Sequence, residues 1–224
     1  MDPRIRLPQF LTGWFPEALW RGPDNENQIY LTFDDGPVPG VTPWVLDLLK
    51  REKVKACFFC VGENVTRYPD IYRRILEEGH LTGNHTYHHL QGMKTRAGSY
   101  LADVEKAAGV IDSRFFRPPH GLMRRRQYRQ ISKKYLVVMW DLVSCDYRQN
   151  VDHHVVTNNV LRYLRPGSII TFHDSYKSER NLYAALPVVI RELKRRGYRF
   201  GSLAELRTKP GIEETKKDKI RDYA

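Results

Sequence analysis

The sequence predicts an α/β domain, a parallel sheet or barrel of short strands with amphipathic helices outside it. Three observations predict it. Short apolar runs alternate with helix-period segments over about 180 residues. The length, 224 residues, fits one large domain better than two small ones. Apolar runs end directly in acids, histidines or arginine, and α/β sheets carry their chemistry at such strand ends.

The elements follow in order. Gln28–Phe33 (QIYLTF) reads as a strand stopped by Asp-Asp-Gly-Pro. Thr42–Arg51 reads as a helix, with Thr42 as N-cap and Pro43 at the first helical position. Lys55–Val61 is a buried strand, Tyr68–Glu78 a helix stopped by Gly79, and His80–Gly83 a short strand entering a histidine cluster. Tyr100–Ile111 is a helix, and Phe115–Arg117 is a strand ended by two prolines. Arg124–Lys134 is a helix and Leu136–Trp140 a strand. Helix Val151–Leu164, strand Ser168–Phe172, helix Leu186–Arg196 and strand Tyr198–Phe200 complete the series. The domain is expected over 28–206, with an arm at 1–27 packing on it and a polar tail at 207–224.

Composition excludes several classes. Hydrophobic residues make up 41% and aromatics 12% of the chain, which argues against global disorder. Three cysteines, two in one apolar run, do not make a disulfide framework and fit a reducing compartment. Cys57 and Cys60 lie within a strand, where their side chains diverge, so packing is expected of them. No run approaches the 18–20 apolar residues of a membrane span. No apolar core of an ordinary signal peptide follows Met1-Asp2-Pro3-Arg4, so a cytoplasmic location is expected. The net charge of +11 suggests nucleic acid, but the basic residues are interleaved with acids and no recognition motif accompanies them. The aromatic arm Ile5–Trp20 and the cluster Arg124–Lys134 leave peripheral contact with a membrane open. The oligomeric state is not legible.

The strand ends deliver Asp34 and Asp35; Asn84, His85, His88 and His89; Arg117 and His120; Asp141 and Asp146; and His173 and Asp174. His85 and His89 share one side if a helical turn joins them, and two imidazoles so placed can bind one metal ion. His85 with His88 is the competing pair. Successive residues of an extended chain point apart, so Asp34 and Asp35 take different roles: one on a metal, one facing water or substrate.

Five segments resemble, in order, the motifs of the polysaccharide deacetylase family (carbohydrate esterase family four). They are Thr32–Pro37 (TFDDGP), His85–His89 (HTYHH), Arg117–Gly121 (RPPHG), Ser144–Tyr147 (SCDY) and Phe172–Asp174 (FHD). The resemblance implies a distorted (β/α) barrel and one divalent metal, zinc first, with cobalt, nickel or manganese as alternatives. It implies Asp34 as general base, Asp35, His85 and His89 as ligands, Arg117 gripping the base through a bidentate fork, and His173 as general acid oriented by Asp146. The backbone N–H of His120, between Pro119 and Gly121, would hold the oxyanion. Tyr147 stands where the family carries tryptophan and His120 where it carries tyrosine or phenylalanine, which puts the acyl preference in doubt. The implied reaction removes an N-acetyl or other short N-acyl group from an amino sugar or glycan. The alternatives are a deacetylase or deformylase acting on a lipid-phosphate-linked sugar, or a silent sugar-binding domain.

Overall fold

The computed structural model describes residues 5–6, 9–24 and 26–206; the tail expected at 207–224 lies outside them. Eight parallel strands make one sheet: β1 (Gln28–Asp34), β2 (Cys57–Cys60), β3 (Leu81–Asn84), β4 (Phe115–Phe116), β5 (Leu136–Val137), β6 (Leu142–Val143), β7 (Ile169–His173) and β8 (Arg199–Phe200). Their order is β5-β4-β3-β2-β1-β7-β6, with β8 also paired to β1. β1 is central and fully buried after Gln28, as its unbroken apolar run requires. Its register sets Asp34 opposite Phe59 on one side and His173 on the other.

Among the described residues, seven α-helices pack around the sheet: α1 (Val41–Arg51), α2 (Gly62–Arg67), α3 (Pro69–Glu77), α4 (Ala97–Ala108), α5 (Arg125–Ile131), α6 (His153–Tyr163) and α7 (Glu179–Arg195). The result is a distorted (β/α) barrel in a single domain. The curl stays open between β5 and β6, the ends of the strand order. The segment before β1 spans this seam. Leu19 bridges Val138, Arg21 bridges Ser168, and the Ile5 carbonyl accepts the Val143 N–H at 2.9 Å. Phe15 is buried against Tyr128, at 4.9 Å between ring centroids.

Four expected elements differ. α1 starts one residue early, on Gly40 with φ 80°, and Thr42 is no cap. Its hydroxyl instead accepts the Val38 N–H and donates to Asp174. The expected strand Leu136–Trp140 ends as β5 at Val137, Val138 bridges Leu19, and β6 follows. The helix expected at Tyr68–Glu78 is preceded by a separate short helix, α2. α7 begins seven residues before the expected Leu186, because Pro187 inside it does not break it. Its apolar face, Leu182, Ala185, Leu186, Val189, Ile190 and Leu193, is fully buried and outweighs the one N–H that proline lacks. Cys57 and Cys60 enter different core clusters on opposite faces of β2, and all three cysteines are buried outside any disulfide.

Candidate active site

A pocket of about 450 Å³ opens at the carboxyl ends of the strands. Asp34, Asp35, His85, His89, His120, Trp140, Tyr147, His173 and Lys177 line it. Asp34 is the last residue of β1 and Asp35 the first beyond it. Strand alternation does not separate them; the chain turns at Asp35, whose φ is 84°. Asn64 of α2 holds this turn by donating to the Asp35 carbonyl at 2.8 Å.

His85 and His89 converge without a helix. Residues 85–89 form a loop in which Thr86 and His89 take positive φ, 63° and 54°. Two partners distant in sequence hold it. The first N–H groups of α2 donate to the carbonyls of Thr86 and Tyr87, and the buried Asp103 carboxylate accepts the N–H of both Tyr87 and His88. Asp103 also takes the His88 ring at 2.5 Å, which removes His88 from the pocket. His85 and His89, and not His88, therefore lie beside Asp35. Among the described residues, five of the six non-glycine residues with positive φ lie in the site segments, the remaining one being Lys53.

The candidate ligand atoms of Asp35, His85 and His89 all lie within 4.8 Å of one another. His89 Nε2 is 3.1 Å and His85 Nε2 3.7 Å from Asp35 Oδ1. His85 Nδ1 donates to the Arg117 carbonyl at 2.7 Å, which leaves the Nε2 lone pair facing the cluster. Burial is the main cause lowering His85 to about 4, against the pull of the Asp34 and Asp35 carboxylates, so the ring stays neutral. Burial alone would raise Asp35. The His89 hydrogen bond, and after it the charge of His173, outweigh it and hold the carboxyl well below its usual range. Two imidazole nitrogens beside an ionised carboxylate fit a divalent cation.

Asp34 faces the same pocket but belongs to another partner. Arg117, fully buried, donates from one terminal nitrogen to Asp34 Oδ1 at 2.6 Å and to Thr32 Oγ1 at 2.9 Å. The expected bidentate fork is absent. Arg117 directs its other nitrogens to the carbonyls of Val138 and Met139, and it lies over the Phe59 ring at 4.0 Å. Four fixed contacts make the guanidinium a rigid post for one carboxylate oxygen.

Across the pocket, Asp146 accepts both the backbone N–H and the ring Nδ1 of His173. Burial would lower His173, but the charge and hydrogen bond of Asp146, with Asp35 and Asp34 adding to them, raise it to about 9. Tyr147 meets the His173 ring edge-on at 4.9 Å. His120 sits in the turn Pro119–Gly121 with φ 60°, and its ring Nε2 lies 3.2 Å from Gln91 Nε2. Gly121 has φ 70°, and a Cβ there would meet the Trp140 ring at 2.1 Å.

Besides His88, three residues at the strand ends are held away from the pocket. Asp141 is gripped by Arg6, Arg165 and Ser168. The Asn84 side chain accepts the Thr86 N–H and donates to the Val104 carbonyl. Asp174, held by Gly36 N–H and Thr42, is buried, and that burial raises it to about 8. The rings of His153 and His154 stack on each other at the start of α6, outside the pocket lining. Sequence reasoning missed Lys177, Asn64 and Gln91, which carry no motif signal.

Comparison with known proteins points to one family. A family model described as polysaccharide deacetylase matches residues 21–140. A peptidoglycan N-acetylglucosamine deacetylase of Bacillus cereus is 35% identical over 206 residues, covering 88% of this chain and 72% of that protein. A peptidoglycan N-acetylmuramic acid deacetylase of Bacillus subtilis is 31% identical, with 85% of this chain and 75% of that protein covered. The crystal structure of a peptidoglycan N-acetylglucosamine deacetylase, in complex with an N-oxidanyl-benzamide, superposes with a TM-score of 0.84 at 32% identity. That match covers 92% of this chain and 99% of the other.

Proposed function

We propose, on the premise that this chain belongs to the polysaccharide deacetylase family, that it hydrolyses the N-acetyl group of an amino sugar within a glycan in a metal-dependent reaction. The observation that carries this reading is a division of labour. Arg117 holds Asp34 off the cluster of Asp35, His85 and His89, while Asp146 holds a protonated His173 across the pocket. Asp35, His85 and His89 would hold the divalent cation, with zinc favoured by two imidazoles and one carboxylate. A cation bound there supplies Lewis acidity, acidifying water and polarising an acyl carbonyl.

The chain's own groups supply the rest. Asp34, oriented by Arg117, accepts the proton of the attacking water. The backbone N–H of His120, set by Pro119 and Gly121, donates to the developing oxyanion. His173, kept charged by Asp146, donates its Nε2 proton to the leaving amine, which departs as a neutral amino sugar. Tyr147 and Trp140 wall the pocket. The named activities of the relatives differ in sugar, N-acetylglucosamine and N-acetylmuramic acid. Their shared part, an N-acetylhexosamine in a glycan, is what we carry to this chain. A silent sugar-binding domain is disfavoured because each chemical group is present and oriented. The test is acetate and formate release from mono-, oligo- and polymeric amino sugars, with and without chelator; release insensitive to chelator on every substrate would refute metal dependence.

A further inference from the structure

A second feature lies beside the pocket mouth and takes no part in the chemistry above. Three large apolar side chains stand out of the surface: Trp14 is 42% exposed, Met93 44% and Leu122 57%. They come from three separate segments, yet contacts join them. Arg125 lays its guanidinium over the Trp14 ring, 5.2 Å from the centroid. Arg124 donates to the Met93 carbonyl at 2.9 Å. The Leu122 carbonyl and Met123 pack closely on Gly92, the residue before Met93. The strip ends at the pocket: Leu122 is two residues from His120, and Gln91, two residues before Met93, touches the His120 ring.

Single exposed apolar residues need no explanation. This group differs in two ways. Its neighbours in the chain are buried, Phe15 against Tyr128 and Met123 in the same core cluster, while Trp14 and Leu122 stay outside. Its surround is cationic. The runs 89–102 and 119–134 contain no aspartate or glutamate, and Lys94, Arg96, Arg124, Arg125, Arg126 and Arg129 are all exposed.

We propose that this strip docks the protein on a bilayer surface containing anionic phospholipid. Trp14, Met93 and Leu122 enter the headgroup region, and the arginines pair with lipid phosphates. The chemistry selects a bilayer over other polyanions. Leucine and methionine offer nothing to sugar hydroxyls and do not stack on bases, whereas an interfacial tryptophan beside arginine suits the boundary of headgroup and acyl chain. Docked this way, the mouth at His120 faces the membrane plane, and the glycan it meets is one presented at that surface.

The test is co-sedimentation of the full chain with phosphatidylcholine vesicles, with and without phosphatidylglycerol. It needs no turnover, so it is independent of the proposed reaction. Partition to the phosphatidylglycerol vesicles is expected. Leu122→Asp combined with Met93→Asp should weaken it about tenfold, and Arg124→Ala and Arg125→Ala about fivefold each. Unchanged thermal melting shows that the variants fold. No partition, or equal partition to both vesicles, overturns the proposal. Binding that survives the two aspartates and is displaced by soluble polyphosphate also overturns it, making the strip a plain anion-binding face.

Discussion

Asp146 grips His173 twice. One carboxylate oxygen accepts the backbone N–H and the other the ring Nδ1, each at 2.8 Å. The ring is thereby fixed with its Nε2 edge toward the pocket it lines, and the proton there is the one available to a leaving amine.

The first prediction concerns pH. His173 acts when protonated, so activity should fall as pH rises through about 9. Asp146→Asn removes the largest raising influence, and the alkaline limb of kcat should move down toward 6.5 or below. The same pair stabilises the fold fully below about 6.5, and that contribution fades as pH rises through about 9. An alkaline limb unmoved in Asp146→Asn would separate His173 from the proton transfer.

A second prediction concerns the ligand cluster. Added zinc should raise the Tm of the chelated protein, by an amount equivalent to about 2.7 kcal/mol at a hundredfold excess over Kd. His89→Ala should abolish most of that rise, because it removes one of three donors. Differential scanning calorimetry reads both, without any substrate.

Arg117 gives a third. Arg117→Met leaves the Asp34 carboxylate buried beside an apolar chain and strips donors from Val138 and Met139. A loss of about 3–5 kcal/mol in urea unfolding is expected. Arg117→Lys should not restore activity, since a single ammonium cannot reproduce four fixed contacts.

Gly121 supplies a fourth. Gly121→Ala combines a left-handed backbone with a Cβ against Trp140. The turn carrying His120 must shift, and a displacement near 1 Å costs about a hundredfold in kcat. The metal-dependent Tm rise should survive, because the ligands sit on other segments.

The legibility of the chain divides along the distance of the deciding partner. β1 and its stop at Asp34-Asp35-Gly36-Pro37 were readable because an apolar hexamer and a turn signal are local. The seven residues by which α7 begins before the expected Leu186 rest on a buried face that is tertiary, and that face carries the helix through Pro187. The shape of the histidine loop is not legible in its spacing, which offers a helical turn as one way to join His85 and His89 but cannot reveal Asp103, fourteen residues beyond His89 in the chain, capping its N–H groups. The shared grip of Arg117 on Thr32, Val138 and Met139 was likewise invisible, and so the fork was expected to close on Asp34 alone. The site residues themselves were readable because each follows a strand directly, and parallel strands bring their ends to one rim.

The most direct test compares wild type and Asp34→Asn for acetate release from an N-acetylglucosamine oligomer, with bound metal measured in both. The expected result is chelator-sensitive release by the wild type, and in Asp34→Asn an undiminished metal content with turnover reduced at least about a hundredfold. Acetate release by Asp34→Asn at a rate near the wild type, or loss of the metal together with the activity, would contradict the assignment of Asp34 as the base held apart from the ligands.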